Sequence, residues 1–455
     1  MLTGVRTKFH PNELLASTLS QWIGCARVIY NAKCDEERYL RTFAQKYLPA
    51  QTYAPFNQEY SQYKSELTPW LSECPSQILR NSATIWHRTY INFLKGVCKR
   101  PRRKSKVAGN YIWLTREVFQ IKWDGATCVL TLGTLKRPVG TVRIKWNKTR
   151  IPKQPPASVW ISKTHAGWRL SFSYDDGHID QSSDNKDHLS YLSTLEEDQL
   201  LEMITPIDRG VAKPIQTDQQ SFDLDAKAKS RLRYRERYIK RCQRKLARQH
   251  KGSGQRMRTI RSIAKLKERD VNLKNNFWHQ TTHELAKSSK VIVMEDLNLK
   301  NMTKRAKPKQ DEQGRWIKNG AKAKSGLNKA LLNLGLNKFE VFITYKMAKL
   351  NKPVFKVWAY QTSQECAHCG YIHPSNRKTQ ADFVCQSCGC VDNADHNAAL
   401  VIRKRAINLI LNSGTELAGA NKNVLRPRAS ANPRKTKKAQ GLIACDCLSK
   451  KTVRL

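Results

Sequence analysis

Residues 365–400 read ECAHCGYIHPSNRKTQADFVCQSCGCVDNADHNAAL. Cys366 and Cys369 make one C-x2-C pair and Cys385 and Cys388 a second, with residues 370–384 between them. Each pair fits a tight knuckle, Gly370 and Gly389 follow the two knuckles, and the intervening residues let both close on one ion. This is the spacing of a structural zinc ribbon; free core cysteines would have to reproduce both doublets and both glycines by accident. Four thiolates fill a tetrahedral shell and leave no open position. The zinc is therefore expected to fold the segment, with apparent binding of about 10–16 kcal/mol at neutral pH, and to take no part in catalysis. Directly behind the cage, Asp395 stands before the helical run HNAALVIRKRA.

The rest of the chain carries an unusual charge. Lys and Arg number 82 against 37 Asp and Glu, a net +45 that exceeds what solubility needs and would repel itself without a polyanion. Nucleic acid is the expected partner, solvated basic surface the plainer alternative. Binding should weaken steeply with salt, log K falling by about 0.9 per duplex phosphate neutralised. With 455 residues, 40% of them hydrophobic, there is material for two or three domains with real cores. Thirteen cysteines is an odd count, and those outside the cage show no pairing pattern, which fits a reducing, cytosolic compartment. No apolar run approaches membrane-spanning length and the N-terminus lacks a signal-peptide core, so a soluble, unexported protein with no membrane partner is expected.

In chain order, TGVRTKFHP reads as a short strand stopped by Pro11, and a helical pattern follows from Glu13. Leu79, Ala83, Trp86, Tyr90 and Phe93 fall on one face of a second helix that starts near Pro75; these aromatics read as core rather than as base-stacking groups. Lys99, Arg100, Arg102, Arg103, Lys104 and Lys106 form a basic run that Pro101 keeps out of a helix, a candidate phosphate-contacting loop. From Tyr111 to Tyr174 short alternating strands (VFQIKW, CVLTL, TVRIKW, SVWISK, WRLSFSY) suggest a small β-barrel. Residues 178–202 lose aromatics and basic charge and read as a linker.

At Met203 a second texture begins. ITPIDRGV reads as a strand ending at Asp208, and residues 226–287 as two antiparallel basic helices joined at Lys251–Gly254, with Ile239, Cys242, Leu246, Ile263 and Leu266 as their sparse apolar contacts. KVIVMEDLNL reads as a buried strand ending at Glu295 and Asp296. Residues 303–325 look like a mobile loop, 327–350 like one helix, PVFKVWA like a strand, and 395–411 like a final helix before a basic, disordered tail.

Strands and helices in this order make an α/β layer with Asp208, Glu295 and Asp395 at element ends, where open α/β sheets place their functional crevice. Three carboxylates converging there could hold a pair of Mg²⁺ ions about 3.5–4 Å apart, because that ion prefers hard oxygen ligands; one ion would activate water and the other would stabilise the leaving oxygen of a phosphodiester. Each acid alone has a plainer role: Asp208 as a turn residue, Asp395 as a helix cap. Glu295 competes with Asp296, which alternation sends to the opposite face, and Asp395 competes with Asp392. Glu295 and Asp395 are preferred, since Asp296 precedes Leu297 as the chain leaves the strand and Asp395 abuts the helical run.

Together these residues resemble the TnpB family, transposon-encoded RNA-guided DNA endonucleases related to compact type V CRISPR effectors. IDRGV (207–211) is similar to the family's first RuvC motif, VIVMEDLNLKNM (291–302) to its second and DHNAA (395–399) to its third, while TSQECAHCG (362–370) and FVCQSCG (383–389) resemble its zinc ribbon. CARVIYN (25–31), residues 75–96 and residues 326–350 also look like the family, so the likeness spans nearly the whole chain except 178–202 and the end after 411. The resemblance implies a multidomain α+β protein. A wedge β-barrel (residues 1–10 and about 106–177) would hold an inserted helical recognition domain (about 11–105). After the linker (178–202) would come a RuvC-like nuclease of RNase H fold (203–362 and 393–411), interrupted by the zinc ribbon (363–392), and then a basic disordered tail (412–455). It also implies that Asp208, Glu295 and Asp395 are the catalytic, magnesium-binding acids, that Cys366, Cys369, Cys385 and Cys388 bind zinc, and that Arg377 steadies the scissile strand. Arg100, Arg102, Arg103 and Lys104 are further candidates for nucleic-acid contact. Guide RNA and double-stranded target DNA would be the partners, in the cytoplasm of a bacterium or archaeon in association with the nucleoid, with monomer and dimer both open. A guided repressor that does not cut, a type V CRISPR effector and a guide-free resolvase are the competing readings; the intact acid triad counts against the repressor. Arg209 and His396 depart from the residues the family usually has at those positions, without removing a ligand.

Overall fold

The computed structural model describes residues 2–47, 59–106, 110–125, 127–134, 137–145, 155–175, 185–419 and 423–427. The chain divides into two compact units, Met1–Asp180 with Arg235–Arg269, and Gln181–Tyr234 with Asp270–Leu455. Among the described residues no helix is long and apolar enough to cross a membrane.

In the first unit, β1 (Leu2–Phe9) ends before Pro11 and Asn12, whose side chain accepts the Leu15 amide at 2.9 Å and so caps α1 (Glu13–Tyr39). Leu15, Leu19, Trp22, Ile23, Ala26, Ile29 and Tyr30 form its buried stripe. The second helix, α2 (Ser76–Leu94), buries Leu79, Ala83, Trp86 and Tyr90, four of the five residues its periodicity singles out, with Phe93 packed at the edge. Strands β2 (Tyr111–Thr115), β3 (Phe119–Asp124), β4 (Thr127–Thr134), β5 (Arg137–Lys145), β6 (Ser158–Thr164) and β7 (Gly167–Asp175) follow. Among the described residues they do not close into the single ring that a barrel would require. They form a four-stranded sheet, β1-β7-β6-β2, and a three-stranded sheet, β3-β4-β5, because the 3-10 turn Arg116–Val118 breaks the ladder between β2 and β3. Alternating residues such as Phe119, Ile121, Leu130, Leu132, Val159 and Ile161 from both sheets meet α1 and α2 in one core.

Unit two is built on a parallel sheet. β8 (Ile204–Ile207) is followed by β9 (Ile215–Gln216), β10 (Ser221–Phe222), the hairpin helices α3 (Ala226–Arg248) and α4 (Gly254–Ser288), and β11 (Val291–Glu295). A two-stranded ribbon, β12 (Lys309–Gln310) and β13 (Trp316–Ile317), precedes β14 (Val354–Val357). Strand order β17-β18-β14-β11-β8 places β11 between two parallel neighbours, where β17 is Thr415–Ala418 and β18 is Val424–Pro427. A bridge between Asp208 and Gln216 carries the pairing on to β9 and so to β10. Every residue of β11 is buried, as expected of a strand covered on both faces. Ile292 and Met294 pack with Trp278, Phe339 and Ile343; Val291 and Val293 face Ile402, Ala406 and Ile407.

The hairpin forms as its pattern implies, with Ile239, Cys242 and Leu246 against Ile263 and Leu266, but its tip, 235–269, belongs to the first unit. There Glu268 takes Lys8 at 2.8 Å and Arg169 at 2.5 Å.

Four further expectations are corrected. Residues 185–192 and 197–203 are helices whose Leu192 and Leu200 are buried in the sheet's core; a few leucines among polar residues had made them read as a linker. The helix expected over 327–350 is two, Ala321–Leu334 and Leu336–Lys349, split by Gly335 at φ 73°. Residues 303–325 contain β12, β13 and the start of the first of these helices. Finally, the sheet extends past 411, since Val424 and Leu425 are buried and bring β17 and β18 with them. Residues 178–184 of the expected linker and 428–455 of the expected tail lie outside the described residues.

Candidate functional site

Parallel strands end on the same side of a sheet, which assembles residues that are remote in sequence. Glu295 is the last residue of β11 and pairs with Val357 at the end of β14; Asp208 follows β8, whose Ile207 pairs with Met294. Asp395 lies in the first turn of the helix Ala394–Leu411, which packs on this sheet through Ile402, Ala406 and Ile407. Asp208 feels the other two carboxylates. Burial, then the facing carboxylates of Glu295 and Asp395, push the Asp208 carboxyl up to about 7. Burial also raises Glu295, against the opposing pull of the Thr362 hydroxyl and of Arg209 and Arg405. A cluster of hard anionic oxygens that arginines offset only in part can hold a divalent cation.

The plainer roles of these acids are taken by neighbours. Asn393 caps the helix, accepting the amides of Asp395 at 3.2 Å and His396 at 3.4 Å, so Asp395 is not the cap. Asp392 is held by His396 Nδ1 at 2.7 Å, while His396 Nε2 meets the Asp218 carbonyl at 3.1 Å. Asp296 faces Lys356 at 3.7 Å and Arg426 at 3.8 Å. Arg377 reaches Asp395 Oδ1 at 3.3 Å and the Gln380 carbonyl at 2.9 Å.

Sequence reasoning missed the support behind the acids. The fully buried side chain of Arg209 donates to the Glu295 carbonyl at 2.6 Å and to Glu340 at 2.8 Å, and Glu340 also binds Lys356 at 2.5 Å. Thr362 donates its hydroxyl to Glu295 Oε1. Only the unusual Arg after Asp208 signalled this network, and its partner Glu340 lies in an otherwise ordinary helix.

The cysteine cage is compact. Cys366 and Cys388 sulfurs are 3.7 Å apart, those of Cys369 and Cys385 3.5 Å, and all four lie within 4.8 Å of one another. A tetrahedron with Zn–S bonds of about 2.3 Å has sulfur edges of about 3.8 Å, so the donor set fits zinc. Each knuckle closes through its glycine amide, Gly370 onto the Cys366 carbonyl at 2.8 Å and Gly389 onto the Cys385 carbonyl at 3.1 Å, with φ of 77° and 71°. Asn397, one half-turn beyond Asp395, docks the cage by accepting the Ala367 amide at 3.0 Å and donating to the Glu365 carbonyl at 2.7 Å.

The basic run at 99–106 is largely occupied within the chain. Arg100 pairs with Glu37 at 2.6 Å, Arg103 with Asp35 at 2.5 Å, and Lys104 bonds the Tyr111 hydroxyl at 2.8 Å over the Tyr30 ring, while Arg102 is exposed.

Known proteins resemble this chain along most of its length. Residues 207–306 match a family model described as "Probable transposase", residues 337–402 one described as "Cas12f1-like, TNB domain", and residues 1–35 one described as "Helix-turn-helix domain". The chain is similar to "Putative RNA-guided DNA endonuclease InsQ" of Escherichia coli (strain K12), 25% identical over 401 residues, 88% of this chain and 90% of that protein. The chain thus resembles the TnpB family. A second relative, "Putative RNA-guided DNA endonuclease" of Streptomyces pristinaespiralis, is 24% identical over 411 residues, 86% of each chain. The protein in the cryo-EM structure of a Cas12f1–sgRNA–target DNA complex shares the fold, with a TM-score of 0.50 at 14% identity over 86% of this chain and 83% of that one. The two larger matched segments contain Asp208 and Glu295, and Arg377, Asp395 and the four cysteines. The segment matched to a helix-turn-helix holds one strand and the start of one long helix.

Proposed function

We propose that this protein is an RNA-guided DNA endonuclease that binds a guide RNA, reads a short motif beside its target, opens an R-loop and hydrolyses DNA phosphodiesters at Asp208, Glu295 and Asp395. The observation that carries the reading is the convergence of these acids at one sheet end, expressed in the Asp208 carboxyl, which burial and the carboxylates of Glu295 and Asp395 push up. The order β10-β9-β8-β11-β14, antiparallel in its first pairs and parallel thereafter, supports an RNase H-like, RuvC-type nuclease in the second unit. The first unit's sheets and helices support a wedge with helical recognition elements. A repressor that does not cut has no need of three intact acids at this edge.

Two Mg²⁺ ions, bound by the three carboxylates, would supply an activated water and a counter-charge for the leaving oxygen. Thr362 turns the Glu295 carboxylate toward its partners, and Arg209 locks the ends of β8 and β11 from behind. Arg377 holds Asp395 and offers a cation beside the acids for an approaching phosphate. Zinc in the four-cysteine cage would keep the Arg377 loop and the start of the helix Ala394–Leu411 in register, since β15 (Asp382–Val384) pairs with β16 (Val391–Asn393) directly before it. The net +45 suits guide RNA and heteroduplex phosphates, while base pairing by the guide carries the sequence choice. Arg102 and Arg103 are exposed enough to contribute. The test is incubation of the guide-loaded protein with matched DNA in Mg²⁺. Cutting by the native protein and none by Asp208→Ala, with target binding retained, is expected; binding without cutting by the native protein would refute the reading.

A further inference from the structure

The segment that leaves β14 at the acid end of the sheet carries two large rings that nothing in the chemistry above uses. Trp358 is 62% and Tyr360 57% exposed, yet their rings stack with centroids 5.0 Å apart and planes 18° from parallel. Trp358 follows Val357, the register partner of Glu295, and Thr362, two residues beyond Tyr360, donates to Glu295. The segment is held from three sides. Arg405 Nη1 donates to the Trp358 carbonyl at 2.8 Å, Thr362 also bonds the Ala359 carbonyl at 3.3 Å, and Gln361 sits at φ 58°, a left-handed conformation costly for a residue with a side chain, with the Gln364 amide on its carbonyl at 2.9 Å. A fixed backbone thus presents a flat aromatic surface to solvent beside the carboxylates. Solvated rings gain little by this, whereas the faces of unpaired bases stack on such rings regardless of sequence.

We infer that Trp358 and Tyr360 form a base-stacking platform for the single DNA strand that enters the acid centre, so that its phosphate is presented beside Asp208, Glu295 and Asp395. This rests on the nuclease reading, and it adds a positioning pair to it. Duplex DNA cannot use the platform because its bases face inward.

The experiment uses the full chain loaded with guide RNA and bound to a target whose displaced strand carries 2-aminopurine, first in EDTA. The native protein and the ring-preserving Trp358→Phe/Tyr360→Phe variant should quench the probe, and Trp358→Ala/Tyr360→Ala should not. In Mg²⁺ the alanine pair should raise the half-saturating concentration of a short single-stranded substrate by about 5- to 150-fold, the range set by one stacked base, with the maximal rate within about two-fold and guide binding unchanged. Equal quenching and equal cutting by the alanine pair, with the native protein active, would overturn the platform alone. A change of oligomeric state in the alanine pair would also overturn it, by showing that the rings cover a protein contact. Quenching by a native protein that never cuts would uphold the platform while refuting the nuclease.

Discussion

The cysteine cage and the acid centre both lean on the helix Ala394–Leu411, which carries Asp395 and docks the cage through Asn397, and they are built in opposite ways. All four sulfurs come from residues 366–388 and close through local knuckles, so their geometry needs little besides a metal. The acids come from residues 208, 295 and 395, and only the parallel register of β8 and β11 and the docking of the helix Ala394–Leu411 bring them together. A local site is stabilised by its ligand, whereas a site assembled by topology is paid for by the fold, which must hold like charges near one another. Losing a cage residue should therefore harm folding, and losing an acid should harm chemistry while relieving the fold.

The largest effect is expected at the cage. Cys366→Ser should release zinc and unfold the segment around it, read as zinc content near zero, poor solubility and a lowered melting temperature; full metal content would break the comparison. Next, Asp208→Asn should reduce guided cleavage on the order of 10³-fold, the several kcal/mol that metal-bound charge stabilisation supplies, with the melting temperature unharmed. The same variant sharpens the contrast through pH. Because folding raises the Asp208 carboxyl from 3.8 to about 7, its contribution to stability is complete below about pH 4 and is lost as pH rises through 7. In EDTA, Asp208→Asn should thus melt higher than the native protein at pH 8 and differ little at pH 4; a lower melting point at pH 8 would contradict the strain assigned to the cluster. Arg377→Ala should slow cleavage by about 10- to 100-fold, in line with the worth of a charge-assisted contact, and leave zinc bound. The smallest effect is expected at Gly335→Ala, about 1 kcal/mol of stability from the forced left-handed φ, with cleavage intact.

The same division explains what could be read from the chain beforehand. The cage was legible because its spacing is its geometry, and the hairpin helices and the buried strand VIVME were legible because periodicity reports burial directly. The acids were legible as candidates at element ends, but Glu295 against Asp296 and Asp395 against Asp392 were separated by contacts no single stretch contains: Lys356 and Arg426 on Asp296, His396 on Asp392, and Asn393 as the helix cap. The Arg209–Glu340 pair was invisible because its members are far apart in the chain. Residues 185–203 and 415–427 were misread because a few leucines and valines among polar residues carry little pattern, although Leu192, Leu200, Val424 and Leu425 are buried. Gly335 was passed over since one glycine in an apolar helical run is usually tolerated.

The central claim is that three distant acids act as one centre. Its most direct test is the guided cleavage rate of Asp208→Asn, Glu295→Gln and Asp395→Asn, singly and combined, with guide and target binding measured alongside. Each single variant should cut as slowly as the triple variant while still binding guide RNA and target, because groups that act as a unit are lost as a unit. Partial losses that multiply in the triple variant would show three independent residues and contradict the account.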